Sequence, residues 1–264
     1  MNDPTFRGAI SGRLASWLFA AVMLLALTSC ATTGPTNPRD PLEAFNRKSM
    51  QFNEKVDSLV LKPVATVYRK GVPPLVRTGV SNFFGNLSDG WSFINSALQF
   101  KFQNAAENFM RLNVNTFFGL GGILDIASSL NIERHREDFG QTLGHWGVPA
   151  GPYIMLPLLG PSTLRDTLAL TVDRHGDPVH YVNPTSATYE LDALRAVDRR
   201  SNSLRVGAVL EEAALDKYTF VRDSYLQKRR AEIFETDPVD IPAESPATAA
   251  PDPAPGQPAP APAR

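Results

Sequence analysis

Few residues in this sequence are arranged for covalent chemistry. His175, Asp177 and His180 offer two imidazoles and a carboxylate of the kind zinc accepts, but they fall in a Gly/Pro turn with no clear further ligand. They read as exposed turn residues, and no metal is expected. No Gly-x-Ser-x-Gly elbow is present to activate a serine. Gly119-Leu120-Gly121-Gly122 invites a nucleotide-binding reading, yet that fingerprint needs a preceding strand and a third glycine where Leu124 stands. The glycines read instead as a hinge, and no cofactor is expected.

The chemistry the chain does offer is polar and non-covalent. Ser81 to Phe118 holds eight of the fifteen phenylalanines and seven asparagines. If residues 101 to 117 are helical, a rotation of ~100° per residue gathers Asn104, Asn108, Arg111 and Asn115 on one side, within ~60° of one another. Phe102, Ala105, Ala106, Phe109 and Leu112 fall opposite. Such a mostly uncharged amide face is either ordinarily solvated or a lining that hydrates a channel or meets lipid head groups, and these four residues are the candidate pore lining. Gly119, Gly121 and Gly122 on one side, with Gly140, Gly144 and Gly147 on the other, are candidate hinges of a gate. The last three also leave one side of a helix bare, where a backbone or a lipid chain has room to pack.

The ends of the chain differ from its middle. Arg7 and Arg13 precede an uncharged stretch from Leu14 to Leu27, the layout of a secretory signal whose apolar part is too short to span a bilayer comfortably. Leu27-Thr28-Ser29-Cys30 looks like a bacterial lipobox. That likeness implies cleavage before Cys30 and acylation of its sulfur and new amino group, an anchor that leaves no thiol for a disulfide or a zinc site. Ala31 in place of Asp implies sorting to the outer membrane. At the other end, residues 236–264 are rich in Pro and Ala, carry nine of the 22 prolines and read as a disordered spacer. Residues 1–29 are therefore a signal peptide, 30–39 a tether and 40–235 a single domain. With the ends set aside, residues 30 to 236 hold 23 basic and 22 acidic side chains, so no strong field steers nucleic acid toward the chain.

Helices must position the candidate residues, because the domain shows helical period and no convincing alternation of period two; no sheet is placed. Asp40-Pro41-Leu42-Glu43 reads as an N-cap and capping box, followed by an apolar stripe of Leu42, Phe45, Phe52, Val56 and Leu59. Pro63 and the Gly71, Pro73, Pro74 group divide the chain into short helices. Asp138 to Gln141 is another capping pattern, and Ser162, Thr163 and Asp166 start a helix. Val148 to Leu159, uncharged and broken by three prolines, is either a buried loop or one that dips into acyl chains. A helical tract reaches about Ile233 as a hairpin or kinked helix, with an apolar stripe running on to Leu210 and Leu215. The Lys228-Arg229-Arg230 cluster near its end either complements the helix dipole or docks a soluble partner.

Several of these phrases occur in the order of a known family. Asp40-Pro41-Leu42-Glu43 with Phe45-Asn46-Arg47, Asn113-Val114-Asn115-Thr116 leading into Gly119-Leu120-Gly121-Gly122, and Phe139 through Val148 come first. Gly151-Pro152-Tyr153, Leu164-Arg165-Asp166, then Tyr218, Val221-Arg222, Tyr225 and Gln227 follow. Across residues 40 to 230 the chain resembles the MlaA (VacJ) outer-membrane lipoproteins. The resemblance implies an all-α ring of short amphipathic helices around a central pore, lying in the inner leaflet of the outer membrane, with a longer periplasmic-facing C-terminal part. It implies a phospholipid substrate removed from the outer leaflet, a porin trimer beside the ring and a periplasmic lipid carrier as acceptor. The rival classes are a membrane-bound lipid hydrolase and a structural lipoprotein that braces porins.

Overall fold

The structure, a computed structural model, describes residues 40–213 and 216–234, without the side chains of 206–213. The signal segment, Cys30, the tether, the Pro/Ala tail and the later stripe positions Leu210 and Leu215 lie outside what is described. The chain is helical, with one small hairpin. Helix α1 (Glu43–Val56) runs through a π-helical turn (Asp57–Leu61) into α2 (Lys62–Gly71). Pro63 therefore does not divide the helices as expected: a proline in a helix leaves an upstream carbonyl without its donor, and the wider π turn absorbs the mismatch. The Gly71 to Pro74 group does end α2, and Pro74 opens α3 (Pro74–Leu98). A short loop returns as α4 (Phe102–Phe117), followed by the single turn α5 (Ile126–Ser129) and by α6 (Phe139–His145). Strands β1 (Tyr153–Leu156) and β2 (Gly160–Thr163) precede α7 (Leu164–Gly176), a 3-10 turn (Pro178–Tyr181), α8 (Thr185–Ala213) and α9 (Lys217–Phe234).

Two capping expectations are met and one is not. Asp138 accepts from Gln141 N while the Gln141 side chain accepts from Asp138 N, a complete capping box for α6. Thr163 caps α7 by accepting from Asp166 N at 3.2 Å. Asp40, by contrast, does not cap α1. Leu42 occupies that position without a side-chain bond, and the 1% exposed Asp40 carboxylate accepts instead from Tyr218 Oη and, at 3.1 Å, from Arg222 on α9. A buried carboxylate takes the charged partner because desolvation without one costs far more than a missing cap.

The hairpin corrects the expectation of no sheet. β1 and β2 pair antiparallel, Tyr153 opposite Thr163 through Leu156 opposite Gly160. Four residues per strand give no readable alternation, and the open edge of β1 is held by side chains. Asn46 Oδ1 accepts from Met155 N at 2.8 Å and Asn46 Nδ2 donates to Tyr153 O at 3.0 Å. Two helical turns along α1, Asn53 brackets Leu158 N and Leu156 O in the same way at 2.7 and 2.9 Å. The amide group stands in for a neighbouring strand. The apolar run 148–159 is thus split: Tyr153 and Met155 are buried, while Leu158 and Leu159 are exposed. Because each buried backbone group left unpaired costs about 1–3 kcal/mol, Asn46→Leu is expected to lose about 2–4 kcal/mol of stability. Urea unfolding in detergent micelles reads that loss, and an unshifted midpoint would show the bracket to be idle.

Polarity is reversed over much of the molecule. Among the described residues 22 buried side chains are polar or charged and 12 are apolar, whereas 32 large apolar side chains are exposed. Buried on α3 are Asn86, Asp89, Ser92, Asn95 and Ser96, while Leu75, Val76, Ile94 and Leu98 face out. The α1 stripe follows the same rule, with Asn46 and Ser49 inside and Phe45, Phe52 and, in the π turn, Leu59 outside. Single exposed hydrophobics are ordinary in soluble proteins, but exposed apolar side chains in this number, over a polar interior, favour contact with an apolar medium or partner. No helix among the described residues is long and apolar enough to cross a membrane.

Candidate functional site

α3 and α4 form an antiparallel pair whose inner faces are polar. Asn108, Arg111 and Asn115 are at most 1% exposed, and Phe102, Phe109 and Phe117 on the other side of α4 are open. The amide face is therefore neither solvated nor bare: it grips residues 119–138, which carry little regular structure of their own. Asn108 brackets His135 as Asn46 brackets β1, donating to its carbonyl at 2.8 Å and accepting from its N–H at 3.2 Å. Asn115 accepts from Ala127 N at 2.9 Å and donates to Asp125 at 3.1 Å. Arg111 donates to both Asp125 oxygens at 2.8 and 2.9 Å, to Ile132 O, and lies 3.5 Å from Asp89. Burial works to raise the Asp125 carboxyl, but donation from Ser128 and Asn115 and the Arg111 charge more than offset it, taking its pKa down to about 2.

The segment so held walls a cavity of about 660 Å³. Trp91 from α3, Arg134, Arg136 and Asp138 from the gripped segment, Asp173 from α7, Asp177 beyond its end, Arg195 and Arg199 from α8, and Lys228 and Arg229 from α9 all face it. Most of these charges are paired across the wall. Arg134 donates to Asp89 at 3.0 Å, and Arg195 bonds both oxygens of Asp177 while stacking on Phe84 at 4.7 Å. Arg229, 11% exposed, donates to both oxygens of Asp138 at 2.6 and 2.7 Å and to Asp166 at 3.1 Å. Burial opposes the Arg229 charge, yet the two carboxylates more than offset it and hold the guanidinium well above its ordinary value. Arg229 is thus neither a dipole cap nor free for docking. Asp173, half-buried and accepting from Trp91 Nε1 and Phe139 N at 2.8 Å, is pushed up by desolvation.

Of the expected lining, Asn104 borders a second cavity of about 690 Å³ that shares Arg134, Arg136 and Glu137 with the first, while Asn108, Arg111 and Asn115 lie behind the wall. The candidate hinges divide. An added Cβ at Gly119 would sit 2.3 Å from Leu124 O, and at Gly122, whose φ is +91°, 2.7 Å from Asn86. Gly121 has φ +72° and open space around it. Gly122→Ala is therefore expected to lose more stability than Gly121→Ala, whose penalty is the ~1 kcal/mol of a left-handed backbone; paired denaturation midpoints rank them. On α6, the bare side left by Gly140 and Gly144 receives side chains rather than a backbone or a lipid: Asp166 and Arg229 at 2.5 and 2.6 Å from the first Cβ position, Arg165 and Ile233 at 2.6 and 2.7 Å from the second. Gly147 lies past the helix end with nothing near it.

His175, Asp177 and His180 are committed locally, since Asp177 caps the 3-10 turn at Val179 N and holds Arg195, and His175 Nδ1 faces Thr171 O at 2.7 Å. The described carboxylate and imidazole groups that do converge, Glu107, Glu133 and His135, were not signalled by their spacing.

The described residues thus form a helical body with many apolar side chains outward, packed around polar faces and a charged cavity. The family model described as "MlaA lipoprotein" matches residues 38–232, and the chain belongs to that family. It is 35% identical over 208 residues to "Intermembrane phospholipid transport system lipoprotein MlaA" of Escherichia coli (strain K12), covering 76% of this chain and 82% of that protein. The protein of the same description from Haemophilus influenzae (strain ATCC 51907 / DSM 11121 / KW20 / Rd) is 35% identical over 224 residues, 80% of this chain and 87% of its own. A solved structure described as "Structural basis for maintenance of bacterial outer membrane lipid asymmetry" superposes with a TM-score of 0.66 at 34% identity, over 74% of this chain and 98% of that one.

Proposed function

We propose that this lipoprotein, anchored through Cys30, sits in the inner leaflet of the outer membrane and passes phospholipid from the outer leaflet through the charged cavity to a periplasmic carrier. The observation that carries the reading is the reversed polarity: 32 exposed large apolar side chains around polar inner faces, with no spanning helix among the described residues. A body of that kind is stable within one leaflet and offers a lipid head group a hydrated route, avoiding the several kcal/mol or more of carrying its charge through hydrocarbon. The names of the relatives, transport lipoproteins rather than hydrolases, support the same class. Direction is set by uptake downstream, since the cavity supplies no energy of its own. A porin trimer alongside would cover part of the apolar rim. The stretch between Gly119–Gly122 and Gly140 serves as the gate, with Asn108, Arg111 and Asn115 fixing its resting position and Asn104 lining the second cavity beside it.

The test mixes full-length acylated protein in labelled phospholipid vesicles with the periplasmic carrier. Intact lipid on the carrier, dependent on the lipoprotein, is the expected result. Cleaved lipid would point to a hydrolase, and no transfer to a scaffold.

A further inference from the structure

Not every charged side chain of the first cavity is paired. Arg134, Arg195 and Arg229 each have a carboxylate partner, and Lys228 lies 3.3 Å from Glu232. Arg136, on the gripped segment, and Arg199, on α8, both face the cavity and are exposed to it, and neither guanidinium makes an ion pair with a described residue. Burial and the charges of Arg195 and Arg136 lower the Arg199 guanidinium from its usual value, while Asp177 and Asp192 work in the opposite direction. Two guanidinium groups that face one cavity without an ion-pair partner leave their N–H donors open to an anion that enters between them. A planar guanidinium matches a tetrahedral phosphate through paired N–H donors, where an ammonium offers only a point charge.

Resting on the transport reading above, we infer that Arg136 and Arg199 together hold the phosphodiester of a phospholipid head group in the cavity. Recognition then falls on the group shared by all glycerophospholipids and not on the variable alcohol, and a lipid without phosphate is refused. Neither side chain is tied into the fold, so both can be changed without disturbing it.

The test is calorimetric titration of the full protein in maltoside micelles with dihexanoyl phosphatidylethanolamine, dihexanoylglycerol and inorganic phosphate, on wild type and the Arg136→Gln/Arg199→Gln variant. The expected result is phospholipid bound at least about tenfold tighter than the diacylglycerol, that preference lost in the variant, an intermediate value for Arg136→Lys/Arg199→Lys, and an unchanged melting temperature. Equal affinity for the two lipids in wild type, or an undiminished preference in the variant, overturns the phosphate site while leaving transport standing. Inorganic phosphate binding as tightly as the phospholipid would make this a free-anion site and overturn the lipid assignment. Failure of wild type to bind either lipid would sink the transport reading and this inference with it.

Discussion

Arg111→Met is expected to lower the unfolding free energy by about 3–5 kcal/mol, because removing one partner of a buried ion pair leaves the other charge uncompensated. Arg111 is 1% exposed and serves Asp125, Asp89 and the Ile132 carbonyl at once, so the substitution removes one of the grips on residues 119–138 and takes from Asp125 its nearest cation, while Asp89 keeps Arg134. The same pair sets an acid limit. With its pKa at about 2 in the folded protein and ~4 unfolded, Asp125 contributes stability that is complete above pH ~4 and is lost as pH falls through 4 toward 2. Wild type will show that acid loss in urea midpoints taken between pH 2 and 6. The Arg111→Met variant will show less of it, since the folded carboxyl rises toward its unfolded value. Parallel pH profiles for the two proteins would rule out this account.

Arg229→Gln is expected to cost a similar amount, about 3–5 kcal/mol, by leaving Asp138 without its guanidinium and Asp166 with Arg165 alone against α6. Burial tends to raise the Asp166 carboxyl, but Arg229 and Arg165 hold it below its ordinary range, so its contribution too is present above its unfolded pKa and disappears as pH falls. Glutamine fills most of the volume, which makes the loss electrostatic rather than a cavity. A double-mutant cycle with Asp166→Asn isolates the pair, and a coupling energy near zero would contradict the assignment. Because the clamp closes the C-terminal helix onto the cavity wall, the variant should also become sensitive to proteolysis between α8 and α9 under native conditions.

The sequence carries the helical class, the caps at Asp138 and Thr163 and the stops at Gly71 to Pro74, each of which is written in a few adjacent residues. What it does not carry is which face of a helix turns inward. Period 3.6 separates Phe102 and Phe109 from Asn108 and Arg111, but only the medium decides which set is buried, and here the amides are. The hairpin is not legible in the sequence because its edge is satisfied from Asn46 and Asn53, more than a hundred residues away. Arg229 was read by its neighbours in a basic cluster, although its partners lie 91 and 63 positions back. Sequence order shows spacing along the chain, and these contacts are made across it.

The asparagine brackets have one more consequence. Asn108 holds His135 by its peptide groups alone, so the grip is blind to which side chains that stretch displays. At position 136, where the side chain reaches no described partner, substitution changes what the cavity presents while the hydrogen bonds that fix the wall stay as they were. Support and display are thereby assigned to different atoms of the same residues. Descendants of this sequence are free to retune one without relearning the other.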